Sequence, residues 1–279
     1  MTTLLQISDL HFGTEQPKVM QALACLSDEK KPDVLVVSGD ITQRATPAQF
    51  SRARAFCDRL GIPQMVSVPG NHDIPLHNLL ARLVRPYAAY QQAFGRVLEP
   101  ELTTAALCLV TVNTTRWWRH KNGDVSQAQI ARVCAQLSHA TPQQLRVVVV
   151  HQPVHVPRPQ DAHDRLRGWQ PAVRAWSAAG ADIVMGGHIH LPYVCELSST
   201  VAGLRRRLWC VQAGTAVSSR IRREAPNSVN LLEFSSDAAG LRCRVERWDY
   251  QQAIPGAVAG RFALAHTSVL NPQRNQTQT

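Results

Sequence analysis

The sequence predicts an α/β fold built on largely parallel strands, and three observations lead there. Short β-branched apolar runs recur over the first two thirds of the chain. Stretches with apolar residues at helical spacing alternate with them, and most of the runs end in Asp, Asn or His. The run at 34–37, Val-Leu-Val-Val, shows the pattern best, with Pro32 before it and Gly39 after it. An apolar run without polar alternation fits a strand covered on both faces. Such a strand delivers its last residue to the carboxyl edge of the sheet, where α/β folds place their ligands. The residue delivered here is Asp40, a carboxylate that is costly to bury without a partner.

The remaining elements follow in order. Residues 4–8 form a first strand ending in Asp9-Leu10-His11, and 18–26 carry a helical pattern that leads back to the Asp40 strand. This is a β-α-β unit with a right-handed crossover. Thr46 and Pro47 open a second helix as cap and first-turn proline, and Gly61 stops it. A third strand at 65–68 ends in Pro69-Gly70-Asn71-His72-Asp73. Residues 76–98 are helical and rich in Leu and Arg, are interrupted at Pro86, and read as a lid or packed cap, with a membrane-surface helix as the alternative. A strand at 107–113 precedes a loop carrying Trp117 and Trp118, read as a partly buried anchor. Ser126, with Gln129 at the capping-box position, starts a helix to about Leu137. The run at 145–150 ends in His151-Gln152-Pro153, and 154–168 read as a loop. A helix at 171–179 leads to a strand at 183–185 that ends in Gly186-Gly187-His188-Ile189-His190. Residues 193–250 switch to short strands joined by turns. The Asn-, Gln- and Thr-rich stretch 269–279 has nothing to bury and is expected to be a disordered tail after one domain at 1–268.

Composition sets the bounds. The 279 residues are 44% hydrophobic, enough for a sizeable core. No apolar run approaches the roughly 20 residues that span a bilayer. The start of the chain lacks a signal peptide's basic and long apolar segments, so a cytoplasmic location is expected. The 7 cysteines are scattered, with no Cys-x-x-Cys pair, and read as reduced core residues rather than bridges or zinc ligands. A net charge of +10 favours anionic partners without choosing among them.

Five strand ends carry Asp9/His11, Asp40, Asn71/His72, His151 and His188/His190. Each alone is an ordinary turn or edge residue. Together they bring oxygen and imidazole donors to one sheet edge, a set that is costly unless metals neutralise it. Mixed donors without thiolate suit Mn²⁺, Fe or Zn²⁺. Two ions about 3.5–4 Å apart need a shared ligand, and together they can acidify water toward a pKa of about 7 for attack on phosphorus.

The blocks Asp9-x-His11, Gly39-Asp40, Gly70-Asn71-His72-Asp73, His151-x-Pro153 and Gly187-His188-x-His190 resemble those of the calcineurin-like metallophosphoesterases, in the family's order. Within that family the chain is most similar to bacterial class III cyclic-nucleotide and glycerophosphodiester phosphodiesterases. That narrower likeness rests on 82–95, on Asn113-Thr114-Thr115-Arg116 and on Ala213-Gly214-Thr215 with Ser219-Arg220. The resemblance implies a four-layer αββα sandwich of two mixed sheets flanked by helices, with 193–250 supplying mainly strands of the second sheet. It implies two divalent ions (Mn, Fe or Zn), one on Asp9, His11, Asp40 and His190, the other on Asp40, Asn71, His151 and His188. His72 becomes a transition-state or leaving-group histidine, oriented by Asp73. Gln152 departs from relatives that carry a second His there. Asn113, Arg116, His155 and Arg220 are candidate substrate contacts, because guanidinium suits phosphate oxygens.

The implied activity is hydrolysis of cyclic nucleotides or other small anionic diesters by a metal-bound hydroxide. A nuclease or nucleotide-lipid hydrolase on the same site is the alternative, and a non-catalytic binding scaffold a remoter one. Nucleic acid is a less favoured partner than a small diester, and an oligomer is compatible with the sequence.

Overall fold

The computed structural model describes residues 1–222, 225–237, 240–252 and 259–273. In chain order its strands are β1 (Thr2–Ile7), β2 (Val34–Ser38), β3 (Gln64–Val68), β4 (Glu101–Thr103), β5 (Leu107–Thr111) and β6 (Leu145–Val149). There follow β7 (Ile183–Gly186), β8 (Tyr193–Glu196), β9 (Trp209–Gln212), β10 (Ser228–Asp237), β11 (Gly240–Gln251) and β12 (Arg261–Leu270). The helices are α1 (Pro17–Lys30), α2 (Pro47–Arg59), α3 (Leu79–Val84), α4 (Ala88–Phe94), α5 (Gln127–Ser138) and α6 (Trp169–Ala178).

Two mixed six-stranded sheets result, in the orders β12-β11-β10-β1-β2-β3 and β4-β5-β6-β7-β9-β8. β1, β2 and β3 run parallel in the first, as do β5, β6, β7 and β9 in the second. Alternation along each strand explains the layering. Val34 and Val36 face the second sheet, where Leu107, Leu109, Val147 and Val149 meet them. Leu35 and Val37 face α1 and α2, against Leu23, Phe50 and Phe56. Val148 and Val184 turn outward to α5 and α6, around the fully buried Trp176. Three apolar layers between helices, sheet, sheet and helices make the expected αββα sandwich. Both faces of each parallel strand are covered, which is why these strands read as unbroken apolar runs.

A polar seam joins the sheets beneath their carboxyl edge. The buried Gln6 side chain donates to Ser38 Oγ (3.2 Å) and the Gly186 carbonyl (3.0 Å), and accepts from Asn230 Nδ2 (3.0 Å). The predicted helix starts hold. The Thr46 side chain accepts from Gln49 N, and Ser126 and Gln129 form a capping box.

Other expectations are corrected. Residues 193–250 do not all enter the second sheet: β8 and β9 do, but the long hairpin of β10 and β11 extends the first sheet from β1. The strand β12 carries on through Leu270 and so overruns the start of the expected tail, whose residues 274–279 lie outside the described residues. The 76–98 segment breaks at Pro86 into two short helices. α4 packs, with Tyr90 buried against Phe50, whereas α3 buries none of its residues. Trp117 and Trp118 are 38% and 58% exposed, so they do not anchor their loop in the core.

Candidate metal centre

All five ligand-bearing strand ends meet at one place. Asp9, His11 and His190 each offer a ligand atom within 4.8 Å of the others, and so do Asp40, His151 and His188. Asp40 belongs to a further such group with His11 and His72, so its carboxylate faces both sides. Its Oδ1 lies 3.3 Å from His151 Nε2, and its Oδ2 lies 3.8 Å from His11 Nε2. Asp9 Oδ1 is 3.3 Å from His190 Nε2, which in turn is 3.2 Å from His11 Nε2.

The local backbone is unusual. Asp9, His11, Asp40, His188 and His190 all have positive φ, between 43° and 74°. Leaving the strand through a left-handed residue turns the side chain back over the sheet edge, at a cost that clusters at functional sites. Two glycines make room. A Cβ on Gly39 would run into the His151 ring, and one on Gly70 would meet Asp40 at its backbone nitrogen and carboxylate.

Hydrogen bonds behind the ligands fix which nitrogen is offered. His151 Nδ1 lies 2.8 Å from the Ser38 carbonyl, and His190 Nδ1 bonds the Arg220 carbonyl. Each ring therefore donates backward and turns Nε2 inward, the usual arrangement behind a metal ligand, whose binding would displace the Nε2 proton. Asp9 also accepts from the His188 amide at 3.0 Å.

Electrostatics favour cations here. Asp40 is held well below the ordinary carboxylate range: burial opposes its ionisation, but His151, His72 and His11 outweigh burial. Asp9 is likewise lowered to about 2, with His190 overriding burial. Burial drives His11 down to about 3 and also lowers His188, so these rings are neutral and carry lone pairs. His151 is raised to about 9, because the Asp40 carboxylate outweighs burial.

Several donors here have no hydrogen-bond partner: His11 Nδ1, His151 Nε2 and both ring nitrogens of His188 in the cluster, and Oδ1 of Asn71, the residue before His72. Buried polar atoms are rarely left so. A carboxamide oxygen and imidazole lone pairs gathered around two ionised carboxylates are the donor set of borderline divalent cations, and the residues fit such ions.

The structure treats the other expected site residues differently. His72 sits at the cluster, with its amide donating to Asp40 Oδ1 at 2.8 Å and its Nδ1 3.2 Å from the Gln43 carbonyl. Arg220 is there too, with Nη1 3.2 Å from His72 Nε2 and 2.9 Å from Gln43 Oε1. Asp73 is a correction. Its carboxylate makes no hydrogen bond to the His72 ring, but accepts from the amides of Gly70 (2.8 Å), Ile41 (3.0 Å) and Thr42 (2.8 Å) and from the Thr42 hydroxyl (2.9 Å). It ties the loop after β2 to the turn after β3.

Asn113 and Arg116 are also corrected as substrate contacts. Asn113 Oδ1 accepts from the amide and hydroxyl of Thr115, and Arg116 donates to the carbonyls of Asn113 and Thr115 and to Gln129. These bonds use the side chains to build their own loop. His155 turns to β8, with Nδ1 3.5 Å from Cys195 Sγ and its ring against Tyr193. Gln152 is fully buried and bonds Thr114 and the Lys121 carbonyl, so it braces the wall of the site.

One residue escaped the sequence reading. Asp164, in a segment read only as loop, lies 3.7 Å from His188 Nε2 and 2.6 Å from Lys121 Nζ. Despite burial, His188 and Lys121 hold its carboxyl low, so it backs His188 as an anion. No spacing marked it, because Asp-x-x-Asp in a polar loop is a common turn composition.

Comparison with known proteins agrees with this picture. A probable cyclic nucleotide phosphodiesterase from Synechococcus sp. is 30% identical over 82 residues, covering 26% of this chain and 32% of that protein's length. A dimetal phosphatase from Danio rerio shares the fold with a TM-score of 0.63 at 14% identity, over 98% of this chain and 99% of that one. The purple acid phosphatase PPD1 of yellow lupin seeds superposes with a TM-score of 0.67 at 13% identity, over 96% of this chain and 53% of that one. Residues 2–192, which contain every residue of the cluster above except Arg220, match the family model of the calcineurin-like phosphoesterases, and the chain belongs to that family.

Proposed function

We propose that this protein is a phosphodiesterase working through two divalent cations that share Asp40. One cation would be held by Asp9, His11, Asp40 and His190, and the other by Asp40, Asn71, His151 and His188. The observation that carries this reading is the Asp40 carboxylate, which presents one oxygen toward His151 and the other toward His11. When bound, such a pair supplies positive charge for a phosphoryl group and makes water a competent nucleophile near neutral pH.

The chain's own residues supply the rest. Arg220 and His72 form a polar edge beside the ligands. The guanidinium fork suits two oxygens of a phosphoryl group and would orient it. His72, held through Nδ1 by the Gln43 carbonyl, turns Nε2 toward that group, where it can stabilise or protonate the departing oxygen. Monoesters and diesters alike expel an alkoxide that gains from such help, and a diester is the favoured substrate class through the likeness that follows. The likeness to a protein described as a probable cyclic nucleotide phosphodiesterase supports cyclic nucleotides among the substrates.

Turnover of bis(p-nitrophenyl) phosphate, cyclic AMP and p-nitrophenyl phosphate in Mn²⁺, Fe²⁺ and Zn²⁺ tests the reading. Cleavage of the monoester alone would overturn it. His72 also lies within ligand distance of His11 and Asp40, so its role needs its own test. His72→Ala should lower kcat about 10²–10⁴-fold while two ions per chain remain by elemental analysis. Loss of an ion would make His72 a ligand instead.

A further inference from the structure

Beside the metal centre lies an apolar surface that the chemistry above does not use. Leu79, Leu80, Leu83 and Val84 of α3 are 59–73% exposed, and Trp117 and Trp118 stand open next to them. The two segments are one surface. Arg82 of α3 donates to the Arg119 carbonyl at 2.6 Å, and the Tyr87 hydroxyl lies 2.8 Å from Thr115 Oγ1. Exposed apolar groups on this scale mark interaction sites rather than chance.

The surface borders the centre on two sides. α3 follows directly from the turn that holds His72 and Asp73. The Trp loop ends in Lys121, whose ammonium pairs with the Asp164 that backs His188.

Its charge selects the partner. Residues 74–98 contain three arginines and no acidic residue, and the Trp loop adds Arg116 beside Arg119 and Lys121, which pair with Asp124 and Asp164. A two-fold contact with a second copy would set these cations against themselves, which like-charge repulsion opposes. Exposed Leu and Val side chains on a segment whose only charged residues are arginines, with exposed Trp on the adjoining loop, match an anionic lipid surface. Acyl chains receive the apolar groups, tryptophan sits at headgroup depth, and each cation near the headgroups adds about 1 kcal/mol. No helix among the described residues is long and apolar enough to cross a membrane, so contact would be peripheral.

We propose that α3 and the Trp117–Trp118 loop dock this protein onto anionic lipid bilayers, with the metal centre opening at the headgroup level. Docking stands on the surface alone. That headgroup diesters then reach the centre rests on the phosphodiesterase reading.

The test uses the full metal-loaded chain and vesicles of phosphatidylcholine with or without phosphatidylglycerol. The protein should float with the anionic vesicles and not with the neutral ones, and binding should fall steeply with salt. Leu80→Glu/Leu83→Glu changes only exposed positions, so it should fold normally, keep its turnover of soluble bis(p-nitrophenyl) phosphate and lose at least about tenfold in vesicle binding. Absence of flotation with intact soluble turnover would overturn docking and leave the diesterase reading standing. Vesicle binding that survives the double substitution would also overturn it. So would a dimer of the native chain that the substitution dissolves, since the surface would then belong to a second copy. Flotation without turnover of any diester would instead sink the diesterase reading alone.

Discussion

Asp40→Ala should abolish diester hydrolysis, with kcat down by at least the 10²–10³-fold typical of losing one preorganised electrostatic contact. Metal content should fall below two ions per chain. The reason is the position of this carboxylate, which alone among the described residues belongs both to a group with His11 and to one with His151 and His188. Its loss also takes from His151 its nearest carboxylate, while the other ring nitrogen stays committed to the Ser38 carbonyl. Elemental analysis and turnover of bis(p-nitrophenyl) phosphate on one preparation decide the matter. Two ions per chain with near-normal kcat would mean that the cations do not share Asp40.

Asp73→Ala should cost stability first and activity second. The side chain answers three buried amides and a hydroxyl, none of which has water to turn to. Stranding a buried donor costs about 1–3 kcal/mol, so losing an acceptor shared by these groups should cost about 3 kcal/mol or more. The urea midpoint should drop accordingly, and metal binding should weaken because the Gly70 turn and the Ile41–Thr42 segment that follows Asp40 lose their common tether. Asp73→Asn keeps one acceptor oxygen and should fall between the two. If Asp73 acted instead by orienting His72, the alanine variant would keep its urea midpoint and shift only the pH profile of kcat.

The contrast between these two aspartates shows what the sequence made legible. Asp40 follows an apolar run buried on both faces, and such a run has one exit, at the carboxyl edge of the sheet. The same logic located Asp9, Asn71, His151 and His188, because each follows a strand whose burial is written in β-branched residues. Roles that depend on which neighbour a side chain meets were not written there. Asp73 was read as a partner of His72, yet the nearest donors are amides brought by a different strand. Arg116 was read as free to meet phosphate, yet carbonyls of its own loop take it. The hairpin of β10 and β11 alternates like any antiparallel pair, and its placement beside β1 is settled by tertiary packing far away in the chain. The 76–98 stretch read as a lid or packed cap, but Pro86 cuts its first helix to six residues and none of them is buried.

The left-handed backbone at five of the candidate ligands would have a consequence for the protein's life without metal. Those conformations persist because the two sheets clamp the strands on either side, so the donors stand aimed before any cation arrives. Ordering entropy that a floppy site would lose at uptake has already been lost during folding, which tightens affinity. The burden falls on the apoprotein, which carries of order 1 kcal/mol or more of strain at each such residue and has nothing to relieve it. A cell short of the right metal would therefore hold a chain that melts early, and scarcity would be felt as turnover of the polypeptide as much as loss of catalysis.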